Sequence, residues 1–220
     1  MLGAVHAPPV VRGGLAARLA SLLFGLFACA VGIVLLLESK LGLSPWDVLH
    51  QGLARHTPLT YGTANIAVGV AVLGLSALLG ARIGAGTVAN AVLIGLFIEV
   101  LIHLDAVNDL SEQSLAVRWS LLAAGIWLVA IGSAFYLGAA MGAGPRDSLM
   151  LVLTSRSGRR IGLVRTLLEA SVVLAGALLG GTVGVGTIAF ALLIGPALEA
   201  SFWLIERTPL AGSAVASSAA

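Results

Sequence analysis

Charge is what this chain has least of. Asp, Glu, Lys and Arg make up 10% of its 220 residues, hydrophobic residues 59%, and the mean hydropathy is +1.05. That leaves too little polar surface to coat a soluble globule of this size, so the solvent is lipid. Cysteine is nearly absent as well. Cys29 alone, inside an apolar run, excludes a disulfide framework and a cysteine metal cluster together. His50, His56 and His103 lack the spacing of a metal site, and there is no H-E-x-x-H, no G-x-S-x-G and no paired motif of catalytic aspartates. No catalytic residue, cofactor or metal is expected, and the chain reads as a non-enzyme. Net charge is +2, with the arginines single or in one short cluster. Nucleic acid is thereby excluded as a partner.

What is present is a duplication. LGLSPWDVL at residues 41–49 returns as MGAGPRDSL at 141–149, and at that offset of 100 the chain aligns to itself without a gap from about Ala16 to Leu104. Roughly thirty of roughly ninety positions coincide, far above chance even for an apolar sequence. The matches fall in blocks, among them Arg18/Arg118, Gly25/Gly125, Gly32/Gly132, Pro45/Pro145, Asp47/Asp147, Gly84/Gly184, Thr87/Thr187 and Glu99/Glu199.

Six apolar runs have spanning length: 19–37, 61–80, 84–104, 119–140, 161–180 and 183–205. Each is about twenty residues, enough for one helix across a roughly 30 Å core. The first run is longer than a secretory leader's apolar region and lacks a small-x-small site after it, so it reads as a span. The expected organisation is a disordered tail at 1–14, a three-helix repeat at 15–104, an extracytoplasmic linker at 105–118, a second repeat at 119–208 and a disordered tail at 209–220. Basic residues near the span ends place both termini in the cytoplasm of a multi-pass cell-membrane protein. With three spans per half, the second half is then upside down relative to the first. The expected fold is all-α: six transmembrane helices in two inverted repeats, each with a short re-entrant or interfacial helix after its first span.

The repeated G-x-x-P-x-D starts those short helices, with Ser44 or Gly144 at the N-cap, proline at N1, and Asp47 or Asp147 at N3. The aspartates either cap their own helices or belong to a solute site. The third span of each half carries a stripe at steps of four: Thr87, Ala91, Gly95, Glu99 in the first copy and Thr187, Ala191, Gly195, Glu199 in the second. Small residues at this spacing permit close helix packing. Glu99 and Glu199 are candidates for a cation or proton site, because a carboxylate in lipid must face a partner or water. The halves differ at Arg165 and Glu169, which replace Asn65 and Gly69 and stand four apart on one helical face, suited to an ion pair. Pro196, with no counterpart in the first half, is expected to kink or loosen the sixth span.

The blocks G-x-x-P-x-D-x-L, IGLVRTLLE, LGGTVGVGT and ALLIGPALE resemble the bacterial YczE/YyaS/YitT-type integral membrane family. The resemblance runs from about Ala16 to Arg207 and implies a multi-span inner-membrane protein without an assigned activity. Its motif blocks fall on Pro145, Asp147, Gly162, Arg165, Glu169, Gly184, Gly186, Thr187, Gly195, Pro196 and Glu199. The functional expectation is a small secondary transporter or permease with solute between the repeats, held by Asp147, Arg165, Glu169, Glu199, Asp47 and Glu99. Its partners would be the bilayer, a small solute or coupling ion, and possible homo-oligomer or membrane-protein contacts. A non-transporting scaffold that supports another protein is the alternative.

Overall fold

The computed structural model describes residues 11–81, 83–104, 110–159 and 161–208, with the side chains of Ile161 and Gly162 left aside. Residues 1–10 of the expected tail at 1–14, the expected tail at 209–220, residues 105–109 of the linker, Arg82 and Arg160 lie outside the described residues. The described chain forms eight α-helices: α1 (Leu15–Ser39), α2 (Pro45–His56), α3 (Tyr61–Leu78), α4 (Ala85–Ile102), α5 (Leu115–Gly138), α6 (Pro145–Ser157), α7 (Ile161–Leu178) and α8 (Val185–Glu206). A 3₁₀ turn at Leu110–Glu112 precedes α5. Among the described residues five helices, α1, α3, α4, α5 and α8, are long and apolar enough to cross a bilayer. α7 is as long as α3 and carries Arg165 and Glu169. α8 continues through Pro196 without a break.

The pattern of burial fits a lipid solvent. Leu23, Phe24, Phe27, Val70, Leu75, Val88, Leu96, Leu174, Ile188 and Leu192 all face outward, an apolar girdle that would be a liability in water and is the expected surface in a bilayer.

α1 and α5 form the central seam, and small residues set how closely they approach. A Cβ added to Gly25 would lie 2.5 Å from the Gly132 carbonyl oxygen, and one on Gly32 would lie 2.8 Å from that of Gly125. The pairing of 25 with 132 and 32 with 125 means that the helices run antiparallel. These are the glycines that match at the repeat offset, so one short pattern used twice makes both sides of the seam. Around it Leu26, Ile33, Leu36, Ile98, Leu122 and Ile126 close the core.

Four arginines hold helix ends across the two halves. Arg18 donates from Nε to the Ala139 carbonyl at 2.7 Å, and its repeat mate Arg118 donates to the Ser39 carbonyl at 2.7 Å. Each thus caps the C-terminus of the other's helix, where a cation is favoured and the last carbonyls lack partners. Arg55 donates to the Gly180 carbonyl beyond α7, and Arg156 to the Leu79 carbonyl beyond α3 at 3.0 Å. Residues that mark topology in the sequence therefore also fasten the bundle.

The G-x-G-T turns have a related role. Gly86 donates its N–H to the Met141 carbonyl at 2.9 Å, and Gly186 donates to that of Leu41 at 2.7 Å. The loop before each short helix thereby lies on the first turn of the other half's last helix. Gly42 and Gly142 in these loops hold φ of +126° and +123°, where only glycine is unstrained. Thr87 and Thr187 accept from the N–H of Gly84 and Gly184, closing the first turns of α4 and α8. Before α1, Val11 is buried and donates its N–H to the Gly138 carbonyl at 2.8 Å.

Candidate functional site

The short helices begin as their motif requires. Ser44 is the N-cap of α2 and accepts from the Asp47 N–H, with Pro45 at N1; Gly144 and Pro145 hold the same places in α6. Both helices bury their start and one face in the bundle, α6 through Pro145, Ser148, Leu149 and Val152 while Leu151 stays half exposed. Pro45, Trp46, Asp47, Val48, His50 and Gly52 are buried, and Gly52 and Gly176 let the backbones of α2 and α7 meet closely. α6 packs in turn against α3. Each half's short helix is thus seated on the other half's second long helix.

The two N-termini face a common cavity of about 170 Å³. Most of its walls come in pairs related by the repeat offset: Pro45 and Pro145, Trp46 and Arg146, His50 and Met150, Asn65 and Arg165, Gly69 and Glu169, Ile94 and Ile194. The chemistry within the pairs differs, so residues one repeat apart enclose an asymmetric interior. Asn90 from α4 and Ser133 and Tyr136 from α5 add neutral polar groups.

Asp47 stands behind the wall, 1% exposed. It accepts a very short hydrogen bond from the Ser44 hydroxyl, and its Oδ1 lies 3.2 Å from His50 Nδ1. Asn65 Nδ2 lies 3.2 Å from the same imidazole nitrogen, and the Tyr61 ring packs edge-on to His50. A buried carboxylate needs such a set of donors, since desolvation without them costs several kcal/mol, on the order of the whole stability of a domain. In the second half the set is different. Asp147 lines the cavity and accepts from Tyr136 Oη at 2.8 Å. The capping role expected of both aspartates is therefore joined by distinct side-chain partners.

Arg165 and Glu169 form the expected pair, with Nε 3.0 Å from Oε1. Both line the cavity, and Arg165 remains half exposed. Arg146 stacks over Trp46 with Cζ 5.2 Å from the ring centroid.

Glu99 and Glu199 are not at this cavity. Glu99 accepts from Thr60 Oγ1 at 2.6 Å beside the start of α3, and Gly62 makes room for it: a Cβ there would meet Glu99 Oε2 at 2.7 Å. The stabilisation is that of a carboxylate at a helix N-terminus. Glu199 is exposed and makes no hydrogen bond or ion pair among the described residues. The stripes differ likewise. Gly95 is pressed against Ile66 and the Gly62 carbonyl, whereas among the described residues a Cβ on Gly195 meets nothing within 4 Å.

Of the sequence candidates, Asp147, Arg165 and Glu169 thus share the cavity, Asp47 supports its wall, and Glu99 and Glu199 lie elsewhere. His50, Asn90, Ser133, Tyr136 and the Trp46/Arg146 stack are parts of the site that spacing did not single out. The available signal was polarity inside apolar runs, which Asn90 and Ser133 carry. Tyr136 and His50 gave none without the packing.

Apolar helices of spanning length around a partly polar interior define a helical integral membrane protein. The chain belongs to the Family of unknown function (DUF6198), whose model matches residues 16–201. It is 38% identical over 188 residues to an uncharacterized protein of Haemophilus influenzae, covering 86% of this chain and 84% of that one. To the uncharacterized membrane protein YczE of Bacillus subtilis it is 36% identical over 194 residues, 87% of each. To the uncharacterized protein YyaS of the same organism it is 29% identical over 185 residues, 83% of this chain and 91% of that one. The expected kinship with YczE and YyaS is thereby established. No solved structure matches the chain.

Proposed function

We propose that the protein is a small secondary transporter of the cell membrane, with six spans in two inverted three-helix repeats and its solute held in the central cavity. The observation that carries this is the cavity itself, bounded by the first turns of α2 and α6 and by residue pairs one repeat apart. A site at the repeat interface, faced by half-helix N-termini, is the arrangement through which inverted-repeat carriers alternate access. The antiparallel seam of α1 and α5 supports the inversion. The burial of α2 and α6 supports re-entrant rather than interfacial short helices. α7, equivalent to α3 at the repeat offset, supplies the sixth span, with its Arg165–Glu169 pair turned to the cavity where charge is tolerated in a membrane. Nothing in the site needs to make or break a covalent bond, and the role is that of a carrier rather than a catalyst.

The test is reconstitution. Purified protein in sealed liposomes should exchange a labelled small solute against an unlabelled internal pool, and narrowing the cavity with Met150→Trp should slow or stop it in a protein that melts as the parent does. Liposomes that exchange no member of a broad panel of small metabolites, while the protein is captured intact with another membrane protein, would favour the scaffold role instead.

A further inference from the structure

The carrier reading, on which the next step rests, leaves the solute's chemistry open, and one side chain narrows it. We propose that the cavity binds a small monocarboxylate, with the guanidinium of Arg146 receiving the carboxylate group.

Arg146 and Trp46 are repeat mates stacked on each other where the two halves meet, Cζ to ring centroid 5.2 Å. A guanidinium held over an aromatic ring makes no hydrogen bond to it, so its N–H donors stay available to a carboxylate. Among the described residues those donors have no acceptor: the ion pairs and hydrogen bonds of the structure include none from Arg146. Arg165, by contrast, is engaged by Glu169. The neighbouring carboxylates are provided for too, Asp47 by Ser44 and His50 and Asp147 by Tyr136. A guanidinium that lines a cavity with no hydrogen-bond acceptor among the described residues, though within range of the Asp47 charge, is a group whose free donors an incoming carboxylate would fill.

The first turns of α2 and α6, helices of 12 and 13 residues, add partial positive charge on the same side. Asp47, Asp147 and Glu169 already outnumber Arg146 and Arg165 by one charge, which limits an incoming anion to one negative group seated on the guanidinium. The rest of the wall is Ile33, Val68 and Ile94 with Asn90 and Ser133, suited to a short alkyl or hydroxyalkyl body, and about 170 Å³ admits little more.

The experiment uses the full chain in detergent and reads two things. One is the rate at which phenylglyoxal labels Arg146, mapped by mass spectrometry; the other is the unfolding temperature. The probes are sodium formate, acetate and lactate, with chloride and succinate at matched ionic strength and with acetamide. Acetate and lactate should slow labelling and raise the unfolding temperature saturably, succinate should act more weakly, and chloride and acetamide should do neither. Arg146→Gln should weaken the thermal effect about tenfold or more, and Arg146→Lys should keep part of it. The labelling arm needs no variant, so a misfolded Arg146→Gln does not spoil the test. Equal labelling in all salts, or a thermal effect that survives Arg146→Gln, overturns the proposal. Carboxylate binding without exchange in liposomes would sink the carrier reading but keep this site. Exchange that carboxylates do not inhibit and Arg146→Gln does not slow would do the reverse.

Discussion

Arg165 Nε and Glu169 Oε1 meet at 3.0 Å, one turn apart on α7, with the two side chains 51% and 30% exposed. In a fully buried pair, stranding one charge would cost about 3 to 5 kcal/mol. The cavity changes that estimate, because a charge left alone on its wall can be reached by water. Arg165→Ala or Glu169→Ala should therefore each cost about 1 to 2 kcal/mol, and the double-mutant coupling should be about 0.5 to 1 kcal/mol. Unfolding in bilayer or detergent measures it. Strict additivity would mean that the two charges do not support each other.

The seam between α1 and α5 tolerates no added volume. Gly25→Ala and Gly132→Ala each push a methyl into opposing backbone at 2.5 Å, and Gly32→Ala and Gly125→Ala do so at 2.8 and 2.9 Å. Backbone cannot rotate aside, so each should destabilise by about 1 to 3 kcal/mol, the usual cost of overpacking. Gly74→Ala on α3, where nothing lies within 4 Å, should be neutral or slightly stabilising, since alanine is the better helix former. Thermal melts of the five variants compare them; a Gly25→Ala protein as stable as Gly74→Ala would mean that the seam is looser than this.

Much of this architecture was legible because lipid imposes a simple rule on the chain: apolar runs of one length, interrupted by breakers. The run at 161–180 becomes α7, Pro45 and Pro145 start α2 and α6, and the glycine matches mark the seam. The site was legible where charge stands in an apolar context, at Asp147 in the repeated motif and at Arg165 and Glu169 where the halves differ. The partners of Asp47 and Asp147 were not, because His50 and Tyr136 reach them by packing rather than by a spaced motif. Glu99 looked costly in lipid, but its neutral solution, the hydroxyl of Thr60 thirty-nine positions earlier, has no sequence pattern.

The proposed topology, with both termini cytoplasmic and the second half inverted, rests on the arginine distribution and is consistent with the antiparallel seam. Single cysteines at Glu112 and Ser157, in a Cys29→Ala background, should be labelled from opposite faces of intact cells by an impermeant maleimide, Ser157 only after the membrane is opened. Both positions are exposed, and losing the solvated Lys40–Glu112 pair at 3.6 Å should matter little. Labelling of both from outside would remove the inversion of the repeats, and alternating access with it.

The two repeated aspartates should part company when neutralised. As simple N3 residues each would contribute about 0.3 to 1 kcal/mol through the helix dipole, and asparagine would be nearly harmless at both. Asp47, however, is 1% exposed and takes hydrogen bonds from Ser44 and the His50 contact at 3.2 Å. Replacing it with alanine leaves those buried donors without an acceptor, which should cost about 2 to 4 kcal/mol. Asp147 borders the cavity, where water can replace it as the partner of Tyr136, so Asp147→Ala should cost about 1 kcal/mol or less. Its effect should fall on solute handling instead: removing a negative charge beside Arg146 should alter exchange or anion binding in a protein that is still folded. Parallel melts and liposome exchange on Asp47→Ala and Asp147→Ala separate the two outcomes. Equal loss of stability at both positions would make the motif a fold element in each half, with no special place for Asp147 in the cavity.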